Sequence, residues 1–147
     1  CNTYGGLYEW DEAMMHIQTE GSQGICPIGW HIPTNSEWCT LENFVDSDTI
    51  ECDTTGWRGI DAGGNLKGTG TNYWNSPNIG ATNLYGFNAL GAGRTSQSSD
   101  NILEYAYFWT STIGSSGRKC RLLHYSNSQI LRSYNNWDGF SVRCVKD

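Results

Sequence analysis

The chain has 147 residues, of which 16% are charged, and a formal net charge of -6. That length suits one domain, 1–147, with its own core. The acidic balance argues against electrostatic capture of nucleic acid or of an anionic membrane, since both need a basic surplus. No run of about 18 apolar residues occurs, so no segment reads as inserted into a membrane.

In chain order, Tyr4-Gly5-Gly6-Leu7-Tyr8-Glu9-Trp10 reads as a short strand leading into a helix. Asp11 and Glu12 suit the positive end of that helix, and Trp10, Ala13, Met14 and Ile17 share one face at i, i+3, i+4 and i+7. A Gly-rich loop then reaches Cys26-Pro27 and the apolar stretch Gly29–Pro33. The second helix has the clearest local signal: Thr34 and Glu37 form a capping box beside Pro33 and Trp38. Trp38, Leu41, Phe44 and Val45 are its expected buried stripe.

Residues 47 to 82 carry Gly, Asn, Thr and Asp around apolar anchors at Trp57, Leu66, Tyr73 and Trp74. A loop of this length packs on itself or carries function, and a helical turn is expected near Ala62–Lys67. Aromatic and branched runs follow at Phe87–Leu90, Tyr105–Thr112, Arg118–Tyr125, Ser128–Tyr134 and Phe140–Lys146, separated by Gly, Ser, Asn and Asp. These predict antiparallel strands. The fold class is therefore α+β, two helices packed on short antiparallel sheets with long loops.

Enzyme signals are sparse, and none is expected to make this chain a catalyst. Gly114-Ser115-Ser116-Gly117-Arg118 fails the spacing of a nucleophile elbow, and Gly64 to Gly70 lacks the ending of a phosphate loop. His16, His31 and His124 follow no metal-ligand spacing. Asp46/Asp48 and Glu51/Asp53 read as loop decoration. Asp53, Asp61, Asn65, Asn72, Asn75 and Asn78 offer hard oxygens for which calcium is the one metal to consider. Their spacing matches no EF-hand, and turn chemistry accounts for them more simply, so no cofactor is expected.

The six cysteines (Cys1, Cys26, Cys39, Cys52, Cys120, Cys144) are widely spaced, which favours disulfides in an oxidising compartment over zinc. The start at Cys1 without Met reads as a mature or trimmed domain.

Several motifs together resemble the Fibrobacter succinogenes major paralogous domain. They are Tyr4–Met14, Cys26-Pro27-Ile28-Gly29-Trp30-His31-Ile32-Pro33-Thr34, Glu37-Trp38 with Leu41-Glu42, Tyr85–Leu90, Phe108-Trp109-Thr110-Ser111-Thr112 and Gly139–Asp147. The resemblance implies a C-type-lectin-like fold of the formylglycine-generating-enzyme type, as in variable proteins of diversity-generating retroelements. The enzyme relative's catalytic cysteine pair has no counterpart, so its copper and oxidase chemistry are not carried over. The family's Cys-Pro and Val-Arg-Cys motifs imply a Cys26–Cys144 disulfide. Cys39–Cys52 would close a short loop beside the second helix. Family members usually carry a further cysteine upstream of the position of Cys1, which this chain lacks.

Within a variable region of about 105–138, Arg121, Leu123, Tyr125, Ser128, Ile130 and Arg132 look like the fixed framework of such proteins. Cys120, Leu122, His124, Ser126, Gln129, Leu131, Ser133, Tyr134, Asn135 and Asn136 look like variable positions. Lys119, Trp137, Tyr105 and Tyr107 join them as candidate ligand contacts. Gln129 and Trp137 depart from the pattern, because adenine mutation of an Asn codon does not reach them. Residues 121/123/125 and 120/122/124 must point to opposite sides of their strand. The resemblance turns the even set outward, with Cys120 as an exposed thiol or a partner of Cys1; the reverse assignment would make Leu122 and Leu131 core. The expectation is a ligand-binding domain on a virion or cell surface, extracellular, recognising a protein or glycan and open to oligomer formation. A structural or adhesion module and a carbohydrate-binding domain are the alternatives.

Overall fold

A computed structural model describes residues 2–51, 54–96 and 100–147. The helices are α1 (Trp10–Ala13), α2 (Asn35–Val45) and α3 (Ala62–Leu66); the strands are β1 (Trp30–His31), β2 (Gly56–Arg58), β3 (Tyr105–Gly114), β4 (Gly117–His124), β5 (Ile130–Asn135) and β6 (Val145–Lys146). The mixed α+β class is as expected: short helices and two small antiparallel sheets. One sheet runs β2-β5-β4-β3 and the other pairs β1 with β6. Among the described residues no helix is long and apolar enough to cross a membrane.

The second helix begins as its capping box predicts. The Thr34 backbone N–H donates to Glu37 Oε2 at 2.8 Å, and the Glu37 N–H donates to Thr34 Oγ1 at 3.1 Å. At its other end, the Asp46 carboxylate accepts the N–H groups of Ile60, Asp61 and Ala62. One side chain thus ends α2 and caps α3, so Asp46 is structural rather than loop decoration. His31 bridges the same region: Nδ1 lies 2.6 Å from Asp147 Oδ1, and Nε2 lies 2.9 Å from Glu37 Oε1.

Several expectations need correction. The first helix is a single turn, because Met15 and His16 adopt left-handed backbone, and Ile17 is exposed instead of completing the apolar face. Phe44 is 68% exposed and packs on Tyr85; Glu42 takes the buried place. Phe87–Leu90 forms no strand, only a one-residue bridge from Ala89 to Lys67. Tyr4–Trp10 contributes one bridge, Tyr8 to Phe140, and the last strand is confined to β6. Leu66 and Trp74 are buried as anchors, whereas Trp57 and Tyr73 are not.

β3 is covered on both faces, which is why it is buried without alternation from Ala106 to Ser111. On one side Ala106, Phe108, Leu123 and Ile130 pack against Trp38 and Val45 of α2 and Ala62 and Leu66 of α3. On the other, Tyr107, Trp109, Cys120 and Leu122 meet Trp10, Ala13 and Met14 of α1 together with Phe140. α3 comes unusually close to the β4–β5 connection: Gly64 donates to the Ser128 carbonyl at 2.8 Å, and a Cβ on Gly63 would run into the Gln129 carbonyl.

The Cys26–Cys144 disulfide is formed and spans 118 residues of sequence. Cys39 is also disulfide-bonded, while its expected partner Cys52, like Cys1, lies outside the described residues. Of the residues weighed for calcium, Asp61 Oδ1 accepts the Ser47 N–H and Asn65 Oδ1 accepts the Thr82 hydroxyl, while the Asn78 amide donates to the Gly68 and Gly70 carbonyls and its Oδ1 is buried without a partner among the described residues. Asp53 lies outside the described residues.

Candidate functional site

Register decides which side chains share a face. Tyr105 pairs with His124, Tyr107 with Leu122 and Trp109 with Cys120; across the next ladder Leu122 pairs with Leu131 and Cys120 with Ser133. Directly opposed residues in an antiparallel pair point the same way. Tyr105, Tyr107, Leu122, His124, Leu131 and Ser133 therefore lie on one face. Trp57 joins them from β2, because it pairs with Leu131.

This face opens into a cleft of about 760 Å³, solvent at its mouth included, bounded by Tyr105, Tyr107, Leu122, Leu131, Ser133, Tyr134 and Asn135. Its floor is aromatic. The Tyr105 ring lies 4.2 Å from the His124 ring and 5.3 Å from Tyr107, and Tyr107 stacks on Phe140 at 4.8 Å. Trp57, 38% exposed, approaches His124 edge-on at 6.4 Å. The rim is polar: Arg94 sits over the Tyr107 ring and pairs with Asp138 at 2.8 Å, and Asn101 donates to the Tyr107 hydroxyl at 2.9 Å. Burial pushes the Tyr107 phenol above its ordinary value despite that bond. Burial likewise lowers His124, so its ring is neutral at physiological pH.

The connection that carries His124 is held by an unusual clamp. The Lys67 ammonium is fully buried and donates to the carbonyls of Ile79, His124 and Asn127 at 2.8, 2.8 and 2.9 Å. Three carbonyls take the place of a counter-ion, and burial pulls the amine down to about 8. The end of β4 and the connection after it are thereby fixed from below.

Not all sequence candidates gather here. Cys120 lies on the expected face and in the floor of the cleft, but it is buried among Trp10, Trp109 and Phe140, with a free thiol that burial pushes up to about 12. It is neither an exposed thiol nor joined to another described cysteine. Leu122 keeps 9% exposure, and the even-numbered face opens over Leu131, Ser133 and Asn135, with His124 partly exposed beyond Tyr105. Lys119 and Tyr134 pair with each other on the opposite side, although Tyr134 also borders the cleft. Ser126 turns back to His124 Nδ1 at 2.9 Å, and Gln129 donates to the Gly59 carbonyl at 2.8 Å. Asn135 Oδ1 accepts the N–H groups of Trp137 and Asp138 and shapes the loop after β5, where Trp137 is 87% exposed and Asn136 reaches Ser116. Sequence reading missed Trp57, Arg94 and Asn101, which reach the site from distant segments. Only the period-2 run at Gly56-Trp57-Arg58 hinted at the first of them.

Chemically, the arrangement suits recognition. Neutral rings and a few anchored polar groups surround an open depression, and the Ser126–His124 contact is a local turn bond within two residues. Among the described residues no cluster of three His, Cys, Asp or Glu side chains is placed to hold a metal.

The chain matches the Fibrobacter succinogenes major domain over residues 1–146, and it belongs to that family. No curated protein and no solved structure matches it.

Proposed function

We propose, with membership of this family as the premise, that the chain is a ligand-binding domain with a C-type-lectin-like fold, displayed outside the cytoplasm, and not an enzyme. In this reading it is a variable protein of the diversity-generating retroelement kind, and the cleft lined by Tyr105, Tyr107, Leu131 and Asn135, with His124 stacked beside Tyr105, is its ligand site. The observation that carries the reading is the division of labour across β3–β5. Arg121, Leu123, Ile130 and Arg132 are buried in the body, while Tyr105, Leu131, Ser133 and Asn135 line the cleft on the other side, with His124 partly exposed beside Tyr105. Rigid rings with few torsions give contact area at low ordering cost, and short polar side chains around them adapt to different ligands. The disulfide at Cys26–Cys144 supports an oxidising, extracytoplasmic location.

Deep sequencing of the gene across one population tests this. Codon changes are expected to concentrate at 122, 124, 131, 133 and 135 and to spare 121, 123, 130 and 132. Uniform change along the gene would remove the retroelement reading. A carbohydrate ligand is the second reading, favoured by the half-exposed Trp57 beside the Tyr105 and His124 rings, since sugars stack on such faces. A glycan array that stays silent with and without calcium would exclude it.

A further inference from the structure

A second depression lies on the α2 side of the molecule and shares no lining residue with the recognition cleft. It runs between α2 and the chain that enters β6, and it holds about 620 Å³, solvent at its mouth included. Helical spacing builds one wall: Trp38 and Leu41 stand three positions apart on α2, so they turn to the same side. Trp38 is buried and forms the deep part of the lining, with the Phe87 ring 5.9 Å from its own. Leu41, Phe87 and Val145 are only partly buried, so apolar surface faces the opening. Cys144 also lines the depression, and its disulfide to Cys26 anchors the wall opposite α2.

Two charged side chains border this apolar lining, and they are not equivalent. Glu37 is already engaged: Oε2 accepts the Thr34 N–H and hydroxyl at 2.8 and 2.9 Å, and Oε1 meets His31 Nε2 at 2.9 Å. Arg143 is exposed, and its guanidinium lies 4.4 Å from the centre of the Phe87 ring. Its Nη2 donates to the Phe87 carbonyl at 2.8 Å. The ring and the carbonyl hold the guanidinium in place, so little freedom remains to be lost when something binds it. Its other N–H groups have no partner among the described residues and can donate to a guest.

We propose that this depression binds a small apolar monocarboxylate, an aryl- or alkyl-substituted alkanoate, with its hydrocarbon body against Leu41, Phe87 and Val145 and its carboxylate on Arg143. A concave apolar lining with one anchored donor group is the usual form of a small-molecule site. The apolar body takes the partly exposed side chains out of water. The carboxylate matches the planar fork of the guanidinium. Glu37, on the same rim, repels a second carboxylate and so limits the guest to one. This site is independent of what the recognition cleft binds.

Calorimetric titration of the whole chain with 4-phenylbutyrate and with its neutral amide tests the proposal. The carboxylate is expected to bind at millimolar concentration or below, about tenfold more tightly than the amide, the margin of one charge-assisted hydrogen bond. Arg143→Gln, at an exposed position, is expected to weaken the carboxylate about tenfold and to leave the amide unchanged. Leu41→Ala should weaken both ligands alike, whereas Leu131→Ala in the recognition cleft should weaken neither. Equal affinities for the two ligands overturn the proposal, as does a carboxylate affinity indifferent to Arg143→Gln. No measurable binding at millimolar concentration overturns it too, and so does binding lost in Leu131→Ala, which would put the guest in the other cleft.

Discussion

The two faces of the β2-β5-β4-β3 sheet are built from the same strands and obey opposite rules. On the side of α2 and α3, the strand side chains are enclosed: Leu123 and Ile130 fill the core, and Arg121 and Arg132 both bond one glutamate from α2. On the other side, α1 and Phe140 cover only the portion around Trp109 and Cys120, and the remainder opens as an aromatic-floored cleft. The helical cover on this side is a single turn, whose Trp10 and Ala13 pack in one cluster with Trp109, Cys120 and Phe140.

Because the framework face is enclosed in this way, its ion cluster should be the most sensitive point in the sheet. Glu42→Gln keeps the shape of the side chain and strips the buried guanidinium groups of their shared carboxylate. A loss of about 3–5 kcal/mol is expected, read as a lower urea midpoint at unchanged slope. A smaller loss would mean that the face tolerates unpaired charge and that the two faces differ less than their burial implies. The next test sets two leucines against each other. Leu123→Ala should cost about 2–5 kcal/mol through the cavity it leaves in a sealed site. Leu131→Ala, on the open face, should cost about 1 kcal/mol or less. Equal losses would erase the distinction between framework and recognition positions.

What the sequence disclosed follows the range of each interaction. The start of α2 was legible because Thr34 and Glu37 stand three residues apart and cap each other. The strands between Tyr105 and Asn135 were legible for the same reason, since turn residues and branched runs are local signals; the same signals overcalled Phe87–Leu90 and most of Phe140–Lys146. The buried place of Glu42 was not, because its partners lie 79 and 90 residues away, and hydrophobicity alone put Phe44 there. The failure at Ile17 has another cause, since left-handed backbone at Met15 and His16 breaks a period that the residue types still display. Alternation correctly set Leu123 against Leu122, but it could not say that Cys120 would be buried among Trp10, Trp109 and Phe140. The grouping of Lys119 with its even-numbered neighbours ignored that same alternation. Trp57 was missed because its place at the site depends on pairing with Leu131, 74 positions along the chain.

The smallest effect separates the recognition face from the rest by pH. Burial lowers His124 from 6.5, so between its folded value and 6.5 the unfolded chain holds more protons than the folded one. Its contribution is present above 6.5 and is lost as pH falls through the folded value. His31 has the reverse sign: its bond to Asp147, with the help of Glu37 and against some desolvation, raises it. Its contribution is present below 6.5 and is lost as pH rises through its folded value. The two windows meet at the ordinary imidazole value, so their joint contribution peaks near it. His124→Gln should remove the rise on the acid side and leave the alkaline decline; His31→Gln should do the opposite. Urea midpoints measured from pH 5 to 8 read both slopes. If His124→Gln leaves the acid limb unchanged, the His124 ring is as well hydrated as in the unfolded chain, and the cleft offers a ligand no desolvated imidazole to meet.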